Sequence, residues 1–270
     1  MSLLWPKPLQ VALSAQGAAI IGTSTDAEKN KPKQAYMPVT QNVEATSWHL
    51  ACNRLDALLS DKKVNANTRL SIVLSSDFIR YQLLPTQKIA MSEAEKLAYA
   101  AASYNEVYGT DSAGWKLKLH ETGFKQVSIT AAVEQNFLEK LQQVTLQHKI
   151  KLLSVQPYLM IAYNSCKNQL SKLNGYFVVV ETSKILLLNI QQGKLKSLRT
   201  TAINHDWQQD LKQQLARESM LNEDIAKEIL LHAPINKSLL KMEGWQVNHI
   251  SVTHLQSIAG SHIPTLPASL

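Results

Sequence analysis

Short apolar runs at residues 9–13 and 18–22 flank the polar turn Ser14-Ala15-Gln16-Gly17, a pattern that predicts a β-hairpin. A Lys- and Asn-rich stretch over 23–34 reads as a loop or insertion, and 35–39 as a third strand. Trp48, Ala51, Cys52, Leu55, Leu58 and Leu59 then recur at helical spacing. Residues 70–74 and 78–84 read as strands, the second ended by Pro85. Ser92 and Glu95 have the spacing of a capping box, opening a helix with the expected inner stripe Leu97, Ala101, Tyr104 and Tyr108 and a stop at Gly109. Around Thr122-Gly123, residues 115–119 and 127–133 predict a second hairpin. The stripe Phe137, Leu141, Val144 and His148 predicts a helix, and 151–155 a strand. Pro157 suits the first turn of a helix carrying Leu159, Ala162, Tyr163, Cys166 and Leu170 inward.

After Asn174-Gly175 the pattern restarts. Residues 176–180, 185–190 and 195–200 read as three strands joined by tight turns, the second at Gln192-Gly193. Asp206 is placed to cap a helix bearing Trp207, Leu211 and Leu215. Residues 228–232 read as a strand, 236–242 as a short helix and 246–250 as a last strand, with a loose tail from Ser257. Each half thus begins with antiparallel strands and continues with alternating helices and strands, which implies mixed sheets with helices on both faces.

Composition narrows the class. With 45% apolar and 18% charged residues over 270 positions, the chain can bury a large core and is neither disordered nor fibrous. Its two cysteines, Cys52 and Cys166, lie in helix-like patterns and read as buried thiols of a reducing compartment. No apolar run reaches the roughly 18 residues of a membrane span. The start, Met1-Ser2-Leu3-Leu4-Trp5-Pro6-Lys7-Pro8, lacks the basic and apolar regions of a signal peptide. The expectation is a cytoplasmic protein, or one held at the inner membrane through a partner. The net charge of +7 is concentrated between Lys140 and His205, where only Glu181 is acidic. These basic residues are dispersed and no aromatics interleave with them, so solvated faces are expected rather than a nucleic-acid surface.

The order of elements is similar to the ribonuclease H-like arrangement, duplicated as in actin and sugar kinases. More narrowly, the chain resembles the actin-like cytoplasmic assembly proteins of type IV pili and type II secretion. The segment Pro8-Leu9-Gln10-Val11-Ala12-Leu13 looks like their first strand, and Phe78-Ile79-Arg80-Tyr81-Gln82-Leu83-Leu84-Pro85 like a strand running through an arginine to Leu-Pro. The run 127–164 looks like the passage between their two halves. This resemblance implies an α/β fold with two ribonuclease H-like halves, 1–156 and 157–270, and a small subdomain inserted at about 78–125.

Active members of such families hold magnesium-bound ATP with three loops, whose glycines let backbone N–H groups approach phosphates and whose acids organise the metal. Here the first loop has Ser14 where the acid is expected, followed by Gln16. The second reads Glu181-Thr182-Ser183-Lys184, with an acid but no glycine, and the third Leu231-His232-Ala233-Pro234, where proline removes a donor. Ser154 and Gln156 stand where acids are common around the inter-half strand. Ser14, Gln16, Glu181, Ser183 and Lys184 are therefore read as remnants of a cofactor site. No cofactor and no catalytic residue are expected, and Glu181 reads as a solvated or turn-bonded residue rather than a metal ligand.

Other chemistries lack their residues. His49 and Cys52 have no second ligand pair nearby, and His249 and His254 would point to opposite faces of one strand. No G-x-S-x-G elbow occurs. The resemblance implies a non-catalytic scaffold binding the cytoplasmic tail of an inner-membrane assembly protein, with Phe78, Arg80, Leu84 and the Pro-flanked Trp5 as the partner surface. The groove between strand 78–84 and the helix opened at Ser92 is the expected dock. The alternative is a nucleotide-binding switch or enzyme that uses Glu181 and Lys184 in an altered mode.

Overall fold

The computed structural model describes residues 8–21, 48–60, 64–86, 91–122, 126–204, 206–221, 226–233 and 241–250. The strand expected at 35–39, most of the helix expected at 236–242, the tail, Trp5 and His254 lie outside them.

Strands β1 (Leu9–Ser14) and β2 (Gly17–Ile21) form the first hairpin, and β3 (Arg69–Leu74) and β7 (Lys151–Pro157) extend it in parallel. The resulting four-stranded sheet has the order β2-β1-β3-β7. Strands β8 (Gly175–Val180), β9 (Lys184–Gln191) and β10 (Lys194–Ala202) are antiparallel, and β11 (Glu228–His232) and β12 (Gln246–His249) add in parallel, giving β10-β9-β8-β11-β12. In each sheet, then, a hairpin's first strand also pairs in parallel with a later strand that carries a further parallel neighbour. That shared order is the duplicated topology. Strands β4 (Arg80–Leu84), β6 (Ser128–Glu134) and β5 (Trp115–Glu121) form a separate antiparallel sheet lying in sequence between β3 and β7.

Alternation along the strands sorts the cores. Val11, Leu13, Leu70, Ile72 and Leu74 face α1 (Trp48–Ser60) and α3 (Gln135–Gln147), while Ala12 and Val73 face α4 (Tyr158–Ser165). On the second sheet Tyr176, Val178, Ile185 and Leu187 meet α6 (Trp207–Leu221). Phe177, Val179, Leu186 and Leu188 share a core with α4 and α5 (Lys167–Leu170), so helices cover both faces and one apolar layer joins the halves. Burial on both faces explains why β8 is apolar throughout: all of its residues are buried.

Helix α2 (Glu93–Tyr108) opens on the expected capping box, in which Ser92 Oγ accepts from Glu95 N–H and the Glu95 carboxylate accepts from Ser92 N–H. Gly109, at φ 64°, ends it and leads into a 3₁₀ turn, Gly109–Gly114. The inner stripe runs through Ala100 and Tyr104, with Ala101 exposed, one position from the expected phase. The helix expected from Pro157 to Leu170 is broken at Cys166 into α4 and α5. Pro157 stands as the N-cap of α4, still paired in β7. Among the described residues no helix is long and apolar enough to cross a membrane.

Candidate functional site

The β1–β2 turn, the β8–β9 turn and the end of β3 meet at one place. The strand expected over 78–84 begins at Arg80, because Ser75, Ser76 and Asp77 make a turn: Phe78 N–H donates to Ser75 O at 3.2 Å and Ser75 Oγ to Asp77 Oδ2 at 2.8 Å. Ser75 N–H donates to Leu13 O at 2.8 Å, which fixes this turn beside β1.

Both hairpin turns are tied to that segment. Ala15 N–H donates to Asp77 Oδ2 at 3.2 Å, and Ser183 Oγ donates to Asp77 Oδ1. Ala15 O accepts from Arg54 Nη1 at 2.7 Å, so both polar groups flanking that residue are engaged. Glu181 Oε2 accepts Ser76 N–H at 2.7 Å, and Glu181 Oε1 accepts Ser76 Oγ–H. Lys184 Nζ donates to Ser76 O at 2.7 Å. Ser14 does not reach across: its Oγ accepts from Gln16 N–H at 3.2 Å and Gly17 N–H at 3.1 Å, holding its own turn, and Gln16 is exposed.

Glu181 is thus not solvated, being only 4% exposed. Burial is the main force on it and raises its pKa from 4.5 to about 7; the Ser76 donors oppose that rise, Asp77 adds to it and Lys184 opposes it. Burial also lowers the pKa of Lys184, against the pull of Asp77 and Glu181. In the third loop His232 is buried, with Nε2 2.6 Å from the Tyr158 hydroxyl and Nδ1 3.3 Å from Ile250 O. A carbonyl only accepts, so Nδ1 carries the proton and Nε2 accepts from Tyr158. Burial lowers the His232 pKa, in keeping with a neutral ring. Ser154 Oγ donates to Ser71 Oγ at 3.1 Å, and Gln156 is exposed on β7.

The sequence singled out Glu181, Ser183 and Lys184, which do come together. Ser75, Ser76, Asp77 and Arg54 were missed. The one available signal was the turn-forming run Ser75-Ser76-Asp77 directly after an apolar strand.

Phe78 and Arg80 line a second feature, a cleft of about 210 Å³ with Trp48, Asp77, Trp115, Ala132, Glu134 and Phe137. Phe137 ties the aromatic wall together, its ring centroid 5.6 Å from Trp48 and 5.0 Å from Phe78. Trp48 Nε1 donates to Glu134 Oε2 at 2.7 Å. Arg80 is exposed, and among the described residues its guanidinium has no hydrogen bond or ion pair. The space between β4 and α2 is filled by Tyr104, whose hydroxyl donates to Arg80 O at 2.8 Å and accepts from Thr130 Oγ1 at 3.2 Å. The opening at Phe78 and Arg80 therefore faces Trp48 and Phe137. Leu84 is buried, 4% exposed, and is not part of the cleft lining.

The chain is similar to a protein from Bacteroides thetaiotaomicron VPI-5482 described as having an actin-like ATPase fold and unknown function: TM-score 0.57, 12% identity, 95% of this chain and 96% of that one. The protein has the actin-like ATPase fold, two ribonuclease H-like units with mixed sheets. It is also similar to the cytoplasmic domain of EpsL, an inner membrane component of the type II secretion system of Vibrio cholerae (TM-score 0.49, 12% identity, 92% of each chain). A third similar structure is the PilM–PilN type IV pilus biogenesis complex (TM-score 0.46, 12% identity, 78% of this chain and 64% of that one). No protein-family model and no curated protein matches the sequence.

Proposed function

We propose that this chain is a non-catalytic scaffold of a pilus or secretion assembly complex, binding the cytoplasmic tail of an inner-membrane partner. The observation that carries the non-catalytic part is the closure between the hairpins: the oxygens of Asp77 and Glu181 accept from Ala15, Ser75, Ser76 and Ser183, and Lys184 is anchored on Ser76 O. These residues do not fit a magnesium-bound triphosphate, which would need free carboxylate oxygens and open backbone donors. The sequence resemblance supports the assembly role. In this reading the chain divides near residue 156, and the inserted subdomain expected at about 78–125 holds β4, α2 and β5, with β6 (Ser128–Glu134) pairing beyond its end.

The partner surface of this reading is the cleft at Phe78 and Arg80. Its aromatic wall suits a large apolar side chain, and Arg80, whose guanidinium has no partner among the described residues, suits a carboxylate beside it. Trp5 remains a candidate partner contact on sequence grounds alone. The test is capture from detergent-solubilised native membranes with the wild-type chain and with Arg80→Glu. Recovery of an integral-membrane protein by the wild type, lost in the variant, is the expected result. Capture of soluble proteins only, or equal capture by both chains, would contradict the reading.

A further inference from the structure

Asp77 is held in an unusual way for a side chain in a strand-end turn. Its two oxygens accept from three donors on three separate segments: Ala15 N–H of the first hairpin turn, Ser183 Oγ of the turn between β8 and β9, and Ser75 Oγ of its own turn. The carboxylate is buried, 5% exposed. Lys184, fixed on the carbonyl of the preceding Ser76, supplies a cation whose field Asp77 shares. A backbone N–H and two hydroxyl donors converging on one buried carboxylate, with the field of an ammonium held on the neighbouring carbonyl, are what a small oxyanion requires.

We infer that Asp77 is a resident anion: its carboxylate fills an oxyanion site built by the two hairpin turns and closes that site to phosphate or carboxylate groups from outside. The tether makes this occupancy intramolecular, so an external anion must compete against a high effective concentration. Emptying the site by substitution should leave donors that a free oxyanion can satisfy. This inference goes beyond the scaffold reading and does not depend on it, because its test involves no partner.

The experiment is thermal unfolding of the wild type and of Asp77→Ala in sodium chloride, acetate and phosphate at matched ionic strength. Phosphate stabilises folded proteins in general by exclusion from their surface, so the wild type is the reference in each salt. Asp77→Ala should melt several degrees lower in chloride and recover a substantial part of the loss in acetate or phosphate. A deficit relative to the wild type that is equal in all three salts, or a melting temperature unchanged by Asp77→Ala, would each overturn the inference. Should Asp77→Ala fail to fold, Asp77→Asn and Ser183→Ala decide it. Their effects on melting should be non-additive, the double variant falling little below the worse single one, and additive losses would overturn the shared site.

Discussion

Glu181 accepts the backbone N–H of Ser76 at 2.7 Å, a contact between residues 105 positions apart that joins the β8–β9 turn to the end of β3. It is a costly contact for a carboxylate, since burial disfavours the charged form and a second carboxylate, Asp77, adds repulsion. The pKa near 7 puts the charge on this link under the control of ordinary pH changes.

The first prediction concerns that titration. Between pH 4.5 and about 7 the unfolded chain has lost the Glu181 proton while the folded chain retains it. The folded state then binds more protons, so stability falls as pH rises, by at most about 1.4 kcal/mol per pH unit. His232 acts in the opposite sense: burial keeps it neutral when folded, and its unfolded form takes up a proton below its ordinary 6.5, so its contribution rises with pH. Urea unfolding of wild type and Glu181→Gln from pH 4.5 to 8 separates the two. The wild type should lose stability relative to the variant as pH rises, and parallel curves would count against a carboxyl titrating there.

Lys184 is the cation nearest that link, donating to Ser76 O at 2.7 Å and lowering the Glu181 pKa. Lys184→Met should destabilise the fold by about 2 kcal/mol, the usual range for removing a charged partner from a partly buried hydrogen bond. The loss should be greater at pH 8 than at pH 5, because Glu181, with its pKa raised to about 7, is ionised at the higher pH and protonated at the lower. Denaturant midpoints at the two pH values measure it. A loss independent of pH would mean that Lys184 acts through its bond to Ser76 O and its packing, not through the charge of Glu181.

Gly193 tests a backbone requirement. It sits at φ +71°, next to Gln192 at φ 51°, in the tight turn joining β9 and β10, and a Cβ there would lie 2.2 Å from Ser171 O. Gly193→Ala should cost about 1–3 kcal/mol from the left-handed conformation alone, with the clash added. Gly17→Ala is the control, since nothing lies within 4 Å of a Cβ at that position and its φ is ordinary. Thermal melting should fall clearly for the first and hardly for the second.

How far the sequence could be read follows from the range of each signal. The Ser92 capping box, the Gln192-Gly193 turn and the buried run of β8 were legible because each depends on residues close in sequence. The inner face of α2 was misphased because Ala100 and Ala101 each stand at helical spacing from both Leu97 and Tyr104, and only the packing of Tyr104 onto β4 and β6 selects Ala100. Asp77 was missed for a deeper reason. It lies 62 residues from Ala15 and 106 from Ser183, and hydrophobic periodicity carries no information about which turns meet. Glu181 was recognised as chemically notable, yet its burial depends on Ser76 being present to satisfy it, a pairing that local pattern does not encode.

The measurement that bears most directly on the closed inter-hairpin site is thermal unfolding of the intact chain with and without magnesium-ATP at pH 7.5. A ligand bound only to the folded state adds about 2.7 kcal/mol at a hundredfold excess over its Kd, which is readily seen in a melt. With Asp77, Glu181 and Lys184 committed to Ala15, Ser76 and Ser183, the expected melting temperature is the same in both conditions. A saturable rise that requires magnesium and is abolished in Lys184→Met would show that the site opens to a nucleotide, and would contradict the account.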